Sequence, residues 1–301
     1  MENVANRVWP KLVGIAAVIT VLQLPLFYHY NRLLGSSANV VDNITVSPAQ
    51  EQAEQKEIAA LKSQYRFVTV SADHQYVAYL DSKNVLHVMD LANRQEVCAA
   101  NNPYTVQYVE WIEDERLFVG EQVQPGDLEL KTVDVPSGVQ TIVTRFEGLP
   151  ADASFTKITF STYTNDIYIL INSGTSSALY HIGTMSNVSL VPMGGRYIKN
   201  IAITQTGSKL YFEDYADGSF NVLSLDDQGT IRLVKRDAAL VAVVGNTLYY
   251  GDINSQGLVT AVYRYDAATG GSTLVKTLAA PTLAANIEVT DSGAVQVNAP
   301  T

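Results

Sequence analysis

Beyond Tyr65 the sequence repeats one arrangement of short strands and turns, and this repeat limits the fold more than any other feature. Runs of alternating apolar and polar residues, typical of half-buried β-strands, are separated by turn residues. The turn between the first two strands of each copy recurs at a mean spacing of about 44 residues. It falls at Asp73, Asp114, Asn165, Gly207, Asn246 and Ser292. The sixth copy stops after two strands, at Thr301.

Four strands in about 44 residues are typical of one blade of a β-propeller. We therefore predict an all-β fold, a six-bladed β-propeller over residues 65–301, with a five-bladed ring as the alternative. A β-sandwich also alternates strands and turns, but it does not predict one strand and turn pattern repeated in successive copies. The β-prone segment 40–46 is a candidate to complete the last sheet and close the ring, because an incomplete sheet leaves an unpaired edge.

The first copy also resembles a known repeat. Residues 71–91, SADHQYVAYLDSKNVLHVMDL, look like the S-P-D-G-x-x-[IL]-[AV]-[FY] blade motif of TolB-like or WD40-like β-propellers. Ala72 replaces the proline of the motif, and His74 replaces its glycine. The resemblance covers about residues 65–301 and concerns the fold only, since this fold serves many functions.

The N-terminal segment predicts a membrane location. Residues 12–28 carry no charge, and at 1.5 Å per residue a helix of this length approaches the roughly 30 Å of a bilayer core. We predict a cytoplasmic tail at 1–11 and a transmembrane anchor, or uncleaved signal, at 12–30. Arg7 and Lys11 precede the apolar run, which places the tail inside and the rest outside the cytoplasm. The alternative is a signal peptide cleaved near the small residues 36–38.

Two residues of the anchor, Gln23 and Pro25, are unusual in a plain span, because an amide and a freed carbonyl need partners in lipid. A neighbouring membrane helix would supply these partners; alternatively, both residues lie near the outer interface, where water reaches them. Residues 31–64 are predicted to be a linker with a polar helix over 48–63, since Ser47, Pro48 and Gln50 form a helix start signal.

The composition argues against several kinds of site. The net charge is −10, with 30 acidic against 20 basic residues, so a nucleic-acid partner is not expected. The four histidines, His29, His74, His87 and His181, show no metal-ligand spacing, and the single cysteine, Cys98, is predicted to be a buried residue of an outer strand. We predict no metal and no cofactor.

Hydrolytic chemistry has little support in the sequence. A G-x-S-x-G nucleophile motif does not occur. Acidic residues that fall in loops are Asp127, Asp214, Asp217 and Asp252, but Asp is also an ordinary turn residue. These four carboxylates leave an alternative open, in which an acidic channel mouth binds a glycan or a small ligand, or hydrolyses it. The sequence favours a protein that is not an enzyme.

The predicted binding face is the one that carries the loops between the second and third strands of each sheet, together with the loops between sheets. These loops contain aromatic residues and arginines, which are enriched at interface hot spots. The candidates are Tyr104, Arg145, Phe146, Arg196, Tyr197 and Tyr215. Each of them could instead pack between two blades.

The predicted function is a membrane-anchored, extracytoplasmic propeller that serves as a non-catalytic protein-interaction platform or accessory subunit of a cell-envelope assembly. Its partners would be other envelope or membrane proteins. We expect a single-pass protein of the inner membrane, with the propeller in the periplasm or outside the cell. A third hypothesis is a structural subunit whose span, through Gln23 and Pro25, is the part that binds.

Overall fold

The computed structural model describes residues 48–184 and 187–298. The predicted tail 1–11, the anchor 12–30 with Gln23 and Pro25, and the candidate strand 40–46 lie outside the described residues. Helix α1 (Pro48–Gln64) agrees with the helix predicted over 48–63. It begins with a proline, whose missing N–H costs nothing at the first helical position. Within the described part of the chain, α1 included, no helix has the length and apolar character needed to cross a membrane.

From Ile58 onward the chain forms one compact unit that contains six antiparallel sheets. The first sheet contains β1 (Arg66–Val70), β2 (Tyr76–Leu80), β3 (Val85–Asp90) and β4 (Glu96–Asn101). The second contains β5 (Thr105–Glu113), β6 (Arg116–Gln124), β7 (Asp127–Asp134) and β8 (Gln140–Phe146). The third contains β9 (Ser154–Ser161), β10 (Asp166–Ser173), β11 (Ser176–Ile182) and β12 (Val188–Val191).

The remaining sheets follow the same pattern. The fourth contains β13 (Tyr197–Ile203), β14 (Leu210–Ala216), β15 (Ser219–Leu225) and β16 (Ile231–Lys235). The fifth contains β17 (Ala238–Val244), β18 (Thr247–Ile253), β19 (Val259–Tyr265) and β20 (Ser272–Thr282). A 3₁₀ turn (Ala284–Asn286) leads to the sixth sheet, which contains β21 (Ile287–Val289) and β22 (Val295–Val297).

Each sheet is a meander, in which every strand pairs with the next one along the chain. The first strands of consecutive sheets are in contact, from β1 through β5, β9, β13 and β17 to β21. The fourth strands are far more exposed; β12, for example, has no buried residue. The first strands therefore lie inside and the fourth strands outside, as in the blades of a propeller.

The hydrophobic core consists of layers between neighbouring sheets. The first two sheets enclose one layer around Leu86, Trp111 and Leu117. The second and third enclose Phe118 and Phe155, and similar layers separate the later pairs of sheets. Because the second to fifth sheets each lie between two such layers, their second strands are rich in buried aliphatic and aromatic residues.

The turns that marked the sequence repeat also join neighbouring sheets. The backbone N–H of Asp73 donates to Asp114 Oδ1 at 3.1 Å, which links the first sheet to the second. Thr206 and Asn246 exchange two bonds, from Thr206 N to Asn246 Oδ1 at 2.8 Å and from Asn246 Nδ2 to Thr206 Oγ1 at 2.6 Å. These turns define one face of the molecule, the turn face. The loops between second and third strands lie at the opposite ends of the strands, on what we call the cleft face.

Candidate functional site

Two adjoining clefts lie on the cleft face, at the third, fourth and fifth sheets. Cleft A has a volume of about 840 Å³ and is lined by Gly174, Thr175, Gly194, Gly195, Arg196, Tyr197, Tyr215, Ala216 and Phe220. Cleft B has a volume of about 710 Å³ and is lined by Tyr215, Gly218, Ser219, Phe220, Asp237, Ile253, Asn254, Ser255, Gln256 and Gly257. Tyr215 and Phe220 line both clefts and therefore form the ridge between them.

The ridge is held by a tight hairpin. Ala216 pairs with Ser219 across β14 and β15, so Asp217 and Gly218 form a two-residue turn, and both have positive φ angles of 54° and 82°. Asp-Gly is a preferred sequence for such a turn, because its central residues must adopt left-handed conformations. Tyr215 and Phe220 lie directly opposite each other on the two strands, with ring centroids 5.0 Å apart.

A buried ion pair fixes the arginine of cleft A. Asp214, in β14, is only 1% exposed and accepts a hydrogen bond from Arg196 Nη1. Asn221, which lies opposite Asp214 in β15, donates from Nδ2 to Asp214 Oδ1 at 3.4 Å. The Arg196 side chain remains 36% exposed at the cleft wall. A buried carboxylate thus orients a guanidinium group whose other N–H donors remain available.

A second ion pair lies beside the ridge. Lys199 Nζ is 3.0 Å from Glu213 Oε1 and 4.4 Å from the centre of the Phe220 ring. The other oxygen of Glu213 accepts the backbone N–H of Leu240, in the fifth sheet, at 2.8 Å. Lys199 therefore supports the ridge through a cation–π contact.

The structure brings together three of the six predicted binding residues, since Arg196, Tyr197 and Tyr215 all line cleft A. Arg145 lies elsewhere, on the outer strand β8 of the second sheet, opposite Glu129 of β7. There Arg145 Nε donates to Glu129 Oε2 at 2.6 Å, and this bond raises the pKa of the guanidinium. The charge of Tyr104 contributes to the same effect, which places its exposed side chain near Arg145.

Phe146 lies in the core. Its side chain is 4% exposed, and its ring packs 4.6 Å from that of Tyr180 and 6.0 Å from that of Phe155. It stabilises the layer between the second and third sheets. The two predicted membrane-docking residues, Gln23 and Pro25, lie outside the described residues.

Of the acidic residues predicted in loops, only Asp217 lies in a turn; Asp127, Asp214 and Asp252 belong to β7, β14 and β18 and have structural partners. Asp214 pairs with Arg196, Asp252 Oδ1 lies 3.3 Å from Lys235 Nζ, and Asp127 Oδ1 accepts the N–H of Gly148 at 3.0 Å. In the parts of the chain that the structure describes, no cluster of three or more His, Cys, Asp or Glu residues is arranged to hold a metal ion.

Sequence reasoning missed the buried ion pair of Glu121 and Lys131, on β6 and β7 of the second sheet. Glu121 is fully buried, and its Oε2 lies 2.9 Å from Nζ of the equally buried Lys131. Burial raises the pKa of Glu121, while Lys131 opposes this shift. A signal for Glu121 existed in the repeat, because an acidic residue follows the leucine of the second strand by four positions in three copies. These pairs are Leu117 and Glu121, Leu210 and Asp214, and Leu248 and Asp252.

Neither a scan of protein-family models nor a search of curated proteins finds a match to this chain. Solved structures do match. A prolyl endopeptidase structure has a TM-score of 0.56 at 15% identity, covering 72% of this chain and 34% of its own. An oligogalacturonate lyase in complex with manganese has a TM-score of 0.52 at 15% identity, covering 70% and 64%. This chain therefore spans less than two thirds of either protein.

TolB from Acinetobacter baumannii has a lower TM-score of 0.47 at 13% identity, covering 71% of this chain and 52% of TolB. A β-propeller domain has a TM-score of 0.46. Identities this low concern the fold and carry no activity over to this chain. In its fold the chain resembles TolB-like and WD40-like β-propellers, in agreement with the blade motif at residues 71–91.

Proposed function

We propose that the chain is a six-bladed β-propeller that acts as a non-catalytic platform for protein partners in a cell-envelope assembly. The observation that carries the proposal is the pair of adjoining clefts that share the Tyr215 and Phe220 ridge. Each cleft lies in the size range of binding pockets, roughly 300–1,000 Å³. Tyrosine in both walls and arginine in that of cleft A match the composition of protein-binding hot spots.

The charged groups around the clefts also support binding rather than catalysis. Asp214 and Glu213, in the strand that leads to the ridge, are about 99% buried and are held by Arg196 and Lys199, whereas the exposed Asp237 of cleft B accepts the hydroxyl of Ser219. A carboxylate fixed in an ion pair beneath a cleft wall orients its partner and has no access to a bound substrate. What the clefts present is an aromatic ridge flanked by hydrogen-bonding groups.

The location belongs to the proposal as well. The uncharged run 12–28, with Arg7 and Lys11 before it, supports a single inner-membrane anchor at 12–30 with the tail 1–11 in the cytoplasm. The propeller would then lie in the periplasm or outside the cell, near other envelope proteins. Six blades are supported by the six sheets, of which the last would gain the segment 40–46.

Photocrosslinking in intact cells tests the platform. We expect p-benzoylphenylalanine in place of Tyr215 to give a discrete crosslinked band that mass spectrometry identifies as an envelope protein. The matched control is the same substitution at Tyr163, which is 75% exposed but lies in a loop of the turn face. No band at position 215, or the same bands at both positions, would contradict the proposal.

A further inference from the structure

We propose that cleft A binds the terminal carboxylate of a partner's C-terminal segment and that cleft B binds a basic side chain a few residues upstream. The inference rests on the proposed platform function and specifies the kind of partner that fits it. It comes from the different chemistry of the two clefts, which offer hydrogen-bond donors on one side of the ridge and acceptors on the other.

Cleft A presents donors on an apolar wall. Of the five N–H donors of the Arg196 guanidinium, one meets Asp214, and the side chain is still 36% exposed. Gly194 and Gly195 line the same cleft with positive φ angles, and neither of their N–H groups has an acceptor among residues 48–184 and 187–298. An oriented guanidinium beside free backbone N–H groups suits a carboxylate, which accepts several charge-assisted hydrogen bonds.

Cleft B presents acceptors. Asp237 lines it, with an exposed side chain whose Oδ1 accepts the hydroxyl of Ser219 at 2.5 Å. Asp217 lies at the tip of the hairpin between the clefts and is also exposed. Lys235, two residues before Asp237, is paired with Asp252, with Nζ and Oδ1 3.3 Å apart. Neither Asp217 nor the exposed Arg236 lines a cleft, and among the described residues Asp237 is the one charged residue in the wall of cleft B, so this wall carries a negative charge.

The ridge lies between the donors of cleft A and the acceptors of cleft B. Tyr215 is 48% exposed and contributes to both clefts, so an extended segment that crosses it would contact both at once. A partner that offered acidic side chains throughout would be repelled by a protein of net charge −10. In a segment with a basic residue upstream of its terminal carboxylate, the carboxylate can bind Arg196 while the basic side chain binds Asp237.

The test uses the full chain in mild detergent, immobilised and exposed to equimolar libraries of degenerate hexapeptides. One library has free C-terminal carboxylates, and the other is C-terminally amidated. Retained peptides are quantified and sequenced by mass spectrometry. We expect the wild-type protein to retain the free acids about tenfold better, because a charge-assisted bond to the carboxylate is lost in the amide. Lysine and arginine should be enriched upstream.

Two variants assign the two clefts. Arg196→Gln should bring the ratio of acid to amide retention to about one. The matched control, Arg232→Gln, removes a guanidinium that is 74% exposed on β16 and lies 3.9 Å from Asp226, and it should leave the ratio unchanged. Asp237→Asn should keep the acid preference and lose the upstream enrichment of basic residues. Arg196→Gln leaves Asp214 without its charged partner, so the Tm of this variant is measured to check that it folds. The comparison of the two libraries on the wild-type protein does not depend on this variant.

Equal retention of the two libraries by the wild-type protein would overturn the inference, and so would an acid preference that survives in a folded Arg196→Gln variant. If a glucuronate disaccharide displaced the retained free-acid peptides and additional free-acid peptide did not, the site would be assigned to a sugar acid and the inference would be overturned. If crosslinking at position 215 still captures an envelope protein while the libraries are retained equally, the platform function stands and this inference fails.

Discussion

Two glycines illustrate how single residues set the spacing between strands. Gly120 and Gly251 occupy the same position in the second strands of their sheets, directly before Glu121 and Asp252. A Cβ at Gly120 would lie 2.5 Å from a ring carbon of Phe155, and one at Gly251 would lie 2.4 Å from Cγ1 of Val259. Neither position requires a positive φ, so it is space that requires glycine there.

Gly120→Ala should therefore destabilise the protein by overpacking, by about 1–3 kcal/mol. Urea unfolding followed by tryptophan fluorescence would measure the change. Trimming the contacting ring in the double variant Gly120→Ala with Phe155→Leu should recover part of the loss, so the two effects should not add. Full stability of Gly120→Ala would show that the ring moves aside freely.

Two tyrosines predict how stability depends on alkaline pH. Burial raises the pKa of Tyr211 and of Tyr168 to about 12, with smaller contributions from the charges of Tyr265 and Asp166. Since tyrosine ordinarily titrates near 10, this contribution to stability is complete below pH 10 and is lost as the pH rises through 12. Absorbance titration should show two tyrosines that ionise last, together with unfolding.

Tyr211→Phe should remove part of the loss of stability at alkaline pH. It should leave the free energy of unfolding at neutral pH within about 1 kcal/mol of the wild-type value, because only a hydroxyl is removed. Ionisation of all tyrosines near pH 10 in a protein that remains folded would contradict the burial argument.

At the scale of elements, the strands were predictable because their alternation and turns are local. The repeat places strands β1–β22 in the order observed, and Cys98 lies in the outer strand β4 with 7% exposure, as predicted. Arg145 and Phe146 show the limit. They were predicted together on one rim, but β8 continues through Phe146, so the two side chains point to opposite faces, one to solvent and one to the core.

The hydrogen bonds between Thr206 and Asn246, which link the fourth and fifth sheets, should contribute measurably to the stability of the protein. Asn246→Ala removes both bonds to Thr206, and since a hydrogen bond contributes about 0.5–1.5 kcal/mol and this pair is exposed, we expect a loss of about 1 kcal/mol. A shift of the urea midpoint at constant m-value would report it. Thr206→Val removes only the bond to the Thr206 hydroxyl, so combining it with Asn246→Ala should cost little more than Asn246→Ala alone. Simple additivity would mean that the pair does not interact.

At the scale of the whole molecule, the partners of charged residues depend on how the sheets are placed, which local patterns do not contain. Lys157 Nζ and Glu110 Oε1 lie 2.5 Å apart on the first strands of two sheets, 47 residues apart in sequence. For the same reason the sequence predicted which loops share the cleft face but not which loops converge. Arg196, Tyr197 and Tyr215 meet in cleft A, whereas Arg145 pairs with Glu129 across two strands of the second sheet.

The sixth sheet provides the last prediction, because residues 48–184 and 187–298 give it two strands and each of the other five sheets four. If residues 40–46 complete it, a chain that begins at residue 31 should unfold at the same urea concentration as the full chain. A chain that begins at residue 48 should lose about 3 kcal/mol or more, the value of burying two of the four aliphatic side chains of that segment. Hydrogen exchange should then accelerate in β21 and β22 first, since their edge becomes unpaired. Equal midpoints and equal exchange for the two truncated chains would exclude residues 40–46 as the closing strand.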